Sequence, residues 1–353
     1  SFSCEACLMK KVIVGMSGGI DSSVAAYLLK EQGYEVVGVS LKHLSDEMSN
    51  MKNKTCCSLD DINDARIVCF ALSIPHYVIN LEKEFTREVI TEFLKEYRRG
   101  STPNPCVICN ERVKIKALID LAKKLNFDFV ATGHYAKKSD NGLLLFSDSI
   151  KDQSYMLYRL KKEDLDMMLF PLENIPKTRV REIARENNIV THDKKDSQGI
   201  CFAPNGYEVF LNDTLELKEG NFIDNKGNII GKHKGYALYT IGQRKHLGLK
   251  LPYPVFITKI DKDKNEITVG NFEELLIDTI EIKNYIFHKN LEFLLNKEMI
   301  ARPRFSSRGL SGKLYIIDDK LYFKYFEKNA QNAKGQHIVF YLDNELVGGG
   351  EIK

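Results

Sequence analysis

The stretch from Val12 to Gln32, VIVGMSGGIDSSVAAYLLKEQ, most constrains what this chain can become. Apolar Val12, Ile13 and Val14 lead into a turn of small residues, and the chain leaves it with Val24, Ala25, Leu28 and Leu29 at the spacing of one helix face. Gly33 then offers a left-handed stop. A strand, tight loop and helix in that order make a phosphate cradle. Glycines let the backbone approach an anion, loop N–H groups and hydroxyls donate to it, and the helix start adds partial positive charge. No Gly-Lys-Ser/Thr follows the glycines and GxGxxG spacing is missing, so the loop is neither a Walker A nor a dinucleotide fingerprint.

Around that loop the pattern alternates. Glu35 to Leu41 and Phe127 to Thr132 read as buried strands and His76 to Asn80 as a strand; Asp61 to Leu72, Phe85 to Tyr97 and Glu111 to Leu125 read as helices, the last with Asn110 as its cap. That alternation predicts a doubly wound α/β domain with a parallel sheet. Ligands of such sheets gather at the carboxyl ends of the strands, where Ser17 to Ser22, Leu41 and the run Gly133, His134, Tyr135 fall. Pro103 and Pro105 keep Gly100 to Asn110 out of a helix interior. Cys109 is then expected at a helix N-terminus, where the dipole lowers a thiol pKa. Thr178 reads as the cap of a short helix facing inward with Val180, Ile183 and Ala184.

Past Pro204, Asn205 and Gly206 strands take over. GYALY reads as a strand before an irregular basic loop, and Val255 to Ile260 with Ile267 to Val269 as a hairpin. Four β-rich runs from Leu314 onward suggest a small antiparallel barrel. The expected domains are 9–205, α/β; 206–276, mostly β; and 277–353, a C-terminal antiparallel β-barrel.

The 353 residues suffice for two or three cores, and 43% hydrophobic with 28% charged residues is an ordinary globular balance. No apolar run approaches the roughly 18 residues of a membrane span, so a cytoplasmic chain that makes no membrane contact is expected. A net charge of +3 does not by itself indicate nucleic acid; the local groups Arg98-Arg99, Lys123-Lys124, Lys232-His233-Lys234, Arg244-Lys245-His246 and Arg302 with Arg304 are candidates against a reading as solvated surface. Eight cysteines in such a chain are expected as thiols unless catalytic or metal-bound. Cys69 reads as core. Cys4 and Cys7 precede Met9, a candidate start, and are either a remnant or tail or a CxxC site; Cys56 and Cys57 receive no role.

SGGIDSS resembles the pyrophosphatase-loop signature of the ATP pyrophosphatases, which split ATP between the α and β phosphates and adenylate a carbonyl oxygen. With TPNPCVICN, ATGHYA, KDQSY, DSQGICF, GQRKHLGL and a closing GQHIVFY with GGG, the order of motifs over nearly the whole chain resembles tRNA-specific 2-thiouridylase. That resemblance implies ATP-dependent conversion of the 2-carbonyl of the wobble uridine, in the anticodon loop of tRNA, to 2-thiouridine. It implies Mg²⁺ and a sulfur-donor protein such as a cysteine desulfurase. ATP is implied on Gly15, Met16, Ser17, Gly18, Gly19, Ile20, Asp21 and Ser22, with Leu41 and Gly133 around the adenosine. Cys109 matches the family's nucleophile and Cys201 the persulfide carrier, which Cys109 would discharge by forming a disulfide. Asn104, Pro105 and Cys106 match the segment meeting the target base, and Lys151, Asp152, Gln153, His134, Arg304, Phe305 and Gln336 match tRNA contacts.

Where many family members carry a general acid/base, this chain has Cys106. Two readings follow: persulfide chemistry with Cys106 as a spare thiol, or an iron–sulfur cluster on Cys106, Cys109 and Cys201. Rival activities are other ATP pyrophosphatases, namely lysidine synthetase, GMP synthetase and argininosuccinate synthetase, which have no need of the paired thiols. An RNA-binding protein that makes no AMP and a cysteine-based metal or redox sensor are the non-catalytic and sensor alternatives.

Overall fold

The computed structural model describes residues 9–45, 48, 58–147, 151–195 and 199–353. Cys4, Cys7, Cys56, Cys57 and Asp196 to Gln198 of the DSQGICF motif lie outside them. The chain packs as two compact units. The described residues of Ser1–Glu88, Cys109–Leu144 and Ser149–Pro204 form the first; those of Val89–Ile108, Leu145–Asp148 and Asn205–Lys353 form the second.

The first unit is built on five parallel strands, β1 (Lys11–Gly15), β2 (Glu35–Lys42), β3 (His76–Asn80), β4 (Phe129–Ala131) and β5 (Met168–Leu169), in the order β3-β2-β1-β4-β5. The central β1 is apolar on both faces, with Val12, Ile13 and Val14 fully buried, as a strand covered on both sides must be. Val24, Ala25 and Leu29 of α1 (Ile20–Glu31), Val68 of α2 (Leu59–Ala71) and Val180, Ile183 and Ala184 of the helix Lys177–Glu186 share one core with Val12 and Val14. Gly33, at φ 85°, ends α1 as expected. A reciprocal pair opens α2: the Ser58 side chain accepts from the Asp61 N–H, and the Asp61 carboxylate accepts from the Ser58 N–H.

Three helix readings are corrected. Thr178 is not a cap, because the helix already starts at Lys177 behind extended Pro176. The helix expected over Phe85 to Tyr97 starts at Glu82 and widens into a π turn over Thr86–Ile90 before continuing as Thr91–Arg98. The helix expected from Glu111 starts at Pro105 instead, passes through a second π turn at Asn110–Lys114 and continues as Ile115–Leu125. Proline is tolerated there because the first helical residue has no intrahelical use for its N–H.

In the second unit, β6 (Gly220–Ile223), β7 (Ile229–His233), β8 (Phe256–Asp261) and β9 (Glu266–Gly270) form a mixed sheet ordered β7-β6-β9-β8, in which β6 and β9 run parallel. A helix, Tyr207–Thr214, precedes them where only strands were expected, and the expected strand GYALY is a 3₁₀ turn at Tyr236–Leu238. Strands β10 (Ile277–Phe287), β11 (Glu298–Arg302), β12 (Leu310–Ile317), β13 (Lys320–Asn329), β14 (His337–Leu342) and β15 (Glu345–Ile352) close a barrel in the order β10-β13-β12-β11-β14-β15. Closure leaves no open edge, and Phe323, Phe340 and Tyr325 fill the interior. No helix among the described residues is long and apolar enough to cross a membrane.

Candidate active site

The phosphate loop sits at the carboxyl end of β1, between that strand and α1. Gly18 has φ 72°, and a Cβ there would lie 2.1 Å from the Asp61 carbonyl oxygen, so this corner of the loop admits glycine alone. Gly133, after β4, passes so close to α1 that a Cβ would lie 2.7 Å from the Ser22 nitrogen. The loop's hydroxyls are interlocked: Ser22 Oγ accepts from the Ser17 N–H at 3.2 Å, and Ser23 Oγ donates to the Gly19 carbonyl at 2.8 Å.

These parts open on a cavity of about 300 Å³. Gly15, Met16, Ser17, Asp21, Ser22, Leu41 and Gly133, all expected around ATP, line it. Of the remaining expected residues, Ile20 is buried in the core beneath the loop, while Gly18 and Gly19 form its turn. His134 and Gln153, expected at tRNA, line the same cavity. His134 Nδ1 and Thr132 Oγ1 are 2.8 Å apart, and burial, with the Lys114 charge second, pushes its pKa down to about 4.

Lys177, Lys194, Asp61 and Asp64 reach this site although no sequence signal singled them out for it. Asp21 receives both a 2.6 Å hydrogen bond from the Tyr135 hydroxyl and the Lys177 ammonium, 2.7 Å from each carboxylate oxygen. Gln153 in turn accepts from the Tyr135 N–H at 2.9 Å, which joins KDQSY to the loop. Lys194 donates to the Gly18 carbonyl at 2.9 Å and to Asp61 and Asp64 at 2.5 and 2.6 Å. Burial opposes its charge, but the hydrogen bonds to the two carboxylates outweigh that and hold its pKa above the ordinary lysine value. Lys177 and Lys194 lie far from the loop in sequence, so only folding brings them to it.

Cys106, Cys109 and Cys201 are reduced thiols; Cys109 is 5% exposed, and Cys106 and Cys201 are half-buried. Cys109 and Cys201 belong to the same unit. The Asn104 side chain accepts from the Cys106 N–H at 3.1 Å and so caps the helix that Pro105 begins. Cys109 therefore lies one turn inside the helix, and the expected position at its N-terminus is corrected: the dipole acts most strongly on the first turn, where Cys106 sits. Among the described residues no group of three His, Cys, Asp or Glu side chains gathers as a metal site, so the cluster on Cys106, Cys109 and Cys201 finds no support. Asp152 is buried, its carboxylate accepting from the Ser154 N–H and hydroxyl, while Lys151 is exposed. In the second unit Arg304, Phe305 and Gln336 line a separate cavity of about 510 Å³ with Thr102, whose carbonyl accepts from Gln336 Nε2 at 2.7 Å.

Residues 10–205 match the family model described as tRNA methyl transferase HUP domain, and residues 208–271 match the tRNA methyl transferase PRC-barrel domain. A protein of Fusobacterium nucleatum named tRNA-specific 2-thiouridylase MnmA 2 is 52% identical over 353 residues, covering 98% of this chain and 100% of its own length. The chain belongs to the tRNA-specific 2-thiouridylase MnmA family. Another 2-thiouridylase, from Clostridium beijerinckii, is 44% identical over 98% of this chain and 99% of its own. The match to these 2-thiouridylases therefore runs through both units, the barrel included.

Proposed function

We propose that this protein thiolates the wobble uridine of tRNA at its 2-carbonyl, consuming ATP and releasing AMP and pyrophosphate. The observation that carries this reading is full-length similarity to proteins named 2-thiouridylase, joined to a phosphate loop that opens on a cavity of nucleotide size. The family model's description speaks of methyl transfer. A methyl transferase has no use for a loop that grips pyrophosphate or for the pair Cys109 and Cys201, and thiolation uses both.

ATP is assigned to the loop from Gly15 to Ser22, with Leu41 and Gly133 beside the adenosine. Asp21 is the one carboxylate among the described lining residues. It is the side chain that would hold Mg²⁺ here, sharing its charge with Lys177, and the ion would supply neutralisation of phosphate charge. The uridine O2 attacks the α-phosphorus and pyrophosphate leaves, which turns a poor leaving oxygen into AMP. The terminal sulfur of a Cys201 persulfide, loaded by a donor protein, attacks C2 and expels AMP. Cys109 thiolate then attacks Cys201 Sγ, breaking the S–S bond. The product is the thiocarbonyl with a Cys109–Cys201 disulfide, which an external thiol reduces. An anticodon loop suits this chemistry because its bases unstack readily. Asn104, Pro105 and Cys106 are assigned to the target base, and Lys151, Asp152, Gln153, His134, Arg304, Phe305 and Gln336 to the rest of the tRNA. A cytoplasmic location and domains at 9–205, 206–276 and 277–353 belong to the same reading.

The test is nucleoside mass spectrometry on unmodified tRNA incubated anaerobically with protein, ATP, Mg²⁺ and a cysteine desulfurase with L-cysteine as the persulfide source, beside Cys109→Ala and Cys201→Ala. A 2-thiouridine peak lost in both variants is expected. AMP formed on tRNA with no thiolated nucleoside would overturn thiolation and leave another tRNA-adenylating activity; a methylated uridine would favour the family model's description.

A further inference from the structure

Two charged side chains, Asp21 and Lys114, are among the described residues lining the cavity of the first unit. They are not equivalent. Asp21 is held by Lys177 and the Tyr135 hydroxyl, so its negative charge is balanced beside the loop. Lys114 is the one lysine or arginine among the described lining residues.

Its place has a local cause. Asn110 and Lys114 are the first and last residues of the π turn in the helix that begins at Pro105, and both line the cavity, followed by Ile115 and Leu118. A π turn costs hydrogen-bond quality and recurs where a helix must present side chains to a site. Two histidines lie within electrostatic reach of the ammonium. His43 is 1% exposed, its Nδ1 3.2 Å from the Leu41 carbonyl, and its Nε2 is buried without a hydrogen-bond partner. Burial first and Lys114 second push His43 down to about 3, as they push His134 to about 4. Both rings are thus neutral at physiological pH and do not compete with Lys114 for an anion.

Resting on the function proposed above, we propose that Lys114 is a catalytic residue of adenylation, its ammonium contacting a non-bridging oxygen of the ATP α-phosphate. The loop N–H groups and the α1 N-terminus take the pyrophosphate end, and Leu41 with Gly133 flank the adenosine end. The α-phosphate falls between them, in the cavity that Lys114 lines. As uridine O2 bonds to the α-phosphorus and the bridging P–O bond breaks toward pyrophosphate, charge builds on the non-bridging oxygens. A fixed cation in a partly desolvated site stabilises that charge more in the transition state than in bound ATP.

The experiment is single-turnover pyrophosphate release with unmodified tRNA by wild type, Lys114→Met and Lys114→Arg, with ATP and with the Rp and Sp diastereomers of its α-thio analogue. Lys114→Met should slow pyrophosphate release about 100-fold or more, with Lys114→Arg between it and wild type. Wild type should prefer one diastereomer, and the preference should collapse in Lys114→Met. A lysine that merely supports the helix would slow both diastereomers alike, so an unchanged ratio overturns the proposal, as does a wild-type rate in Lys114→Met. If Lys114→Met fails to fold, the diastereomer ratio in Lys114→Arg decides in the same way, since a guanidinium meets the phosphate oxygens differently. Wild type that releases no pyrophosphate on tRNA would overturn the functional reading itself; wild type that does, matched by Lys114→Met, would overturn only the role of Lys114.

Discussion

His43 shows how one buried residue links packing to pH. Its ring packs against Phe85 at 4.7 Å between centroids, and Phe85 against Phe202 at 5.9 Å. With a folded pKa of about 3 against an ordinary 6.5, the unfolded chain binds the extra proton between those values. Stability contributed at this site is therefore complete above pH 6.5 and falls as the solution is acidified. By pH 5 the loss is about 2 kcal/mol. Denaturant unfolding at pH 7 and pH 5 should show wild type losing about that much more stability than His43→Gln; parallel losses would mean that His43 is not held neutral. Gly18 makes a complementary point: its positive φ is legible in the motif, but the Asp61 carbonyl that forbids a side chain there comes from another element.

At the scale of elements, the helix from Pro105 to Leu125 decides where the chemistry-bearing side chains sit. Of its later face, read from helical spacing as Ile115, Leu118, Ile119, Ala122 and Leu125, the first four are buried as expected and Leu125, at the helix end, is exposed. Its start is not, because two prolines and a run of small and polar residues read as loop. Asn104 followed by Pro105 is nonetheless a start signal, a side-chain acceptor before a residue that needs no acceptor for its own nitrogen. Asn104→Ala should cost about 1 kcal/mol of stability, measurable by denaturant unfolding, with Asn104→Asp close to wild type; an unchanged midpoint in Asn104→Ala would mean the cap contributes nothing. The π turns carry no pattern that single-residue propensities encode, since the hydrophobic spacing of one wide turn differs little from that of an α-turn.

For the whole molecule, the two units are sustained by different cores. In the barrel, fully buried Phe340 packs against Phe323 at 5.1 Å and Phe287 at 6.1 Å. Phe340→Ala should destabilise the barrel by about 3–5 kcal/mol. Because the phosphate loop belongs to the other unit, calorimetric ATP affinity should stay at the wild-type value; a parallel fall would show that the two do not hold their structures separately. The segment Val89–Ile108 belongs with the barrel's unit although it lies between strands of the α/β sheet in sequence. Within that unit Tyr97 stacks on Tyr207 at 5.8 Å, and the Thr102 N–H donates to the Lys334 carbonyl at 2.8 Å.

Local pattern alone determined strands β1 to β4 of the parallel sheet, the phosphate loop, the hairpin β8–β9 and barrel strands β12 to β15, because burial on one or both faces imposes a period that neighbouring residues must carry; β5, β10 and β11 were not read from it. The family followed from motifs in order, each a short run that chemistry holds together. Tertiary structure decided the rest: that Lys177 and Lys194 reach the loop, that Lys114 shares a cavity with Ser17 and Gly133, and that a segment following β3 packs with residues of the C-terminal unit. These are meetings between residues distant along the chain. A local period says which face is buried but not which other element buries it, and charges find their partners only once the cores have fixed where the backbones run.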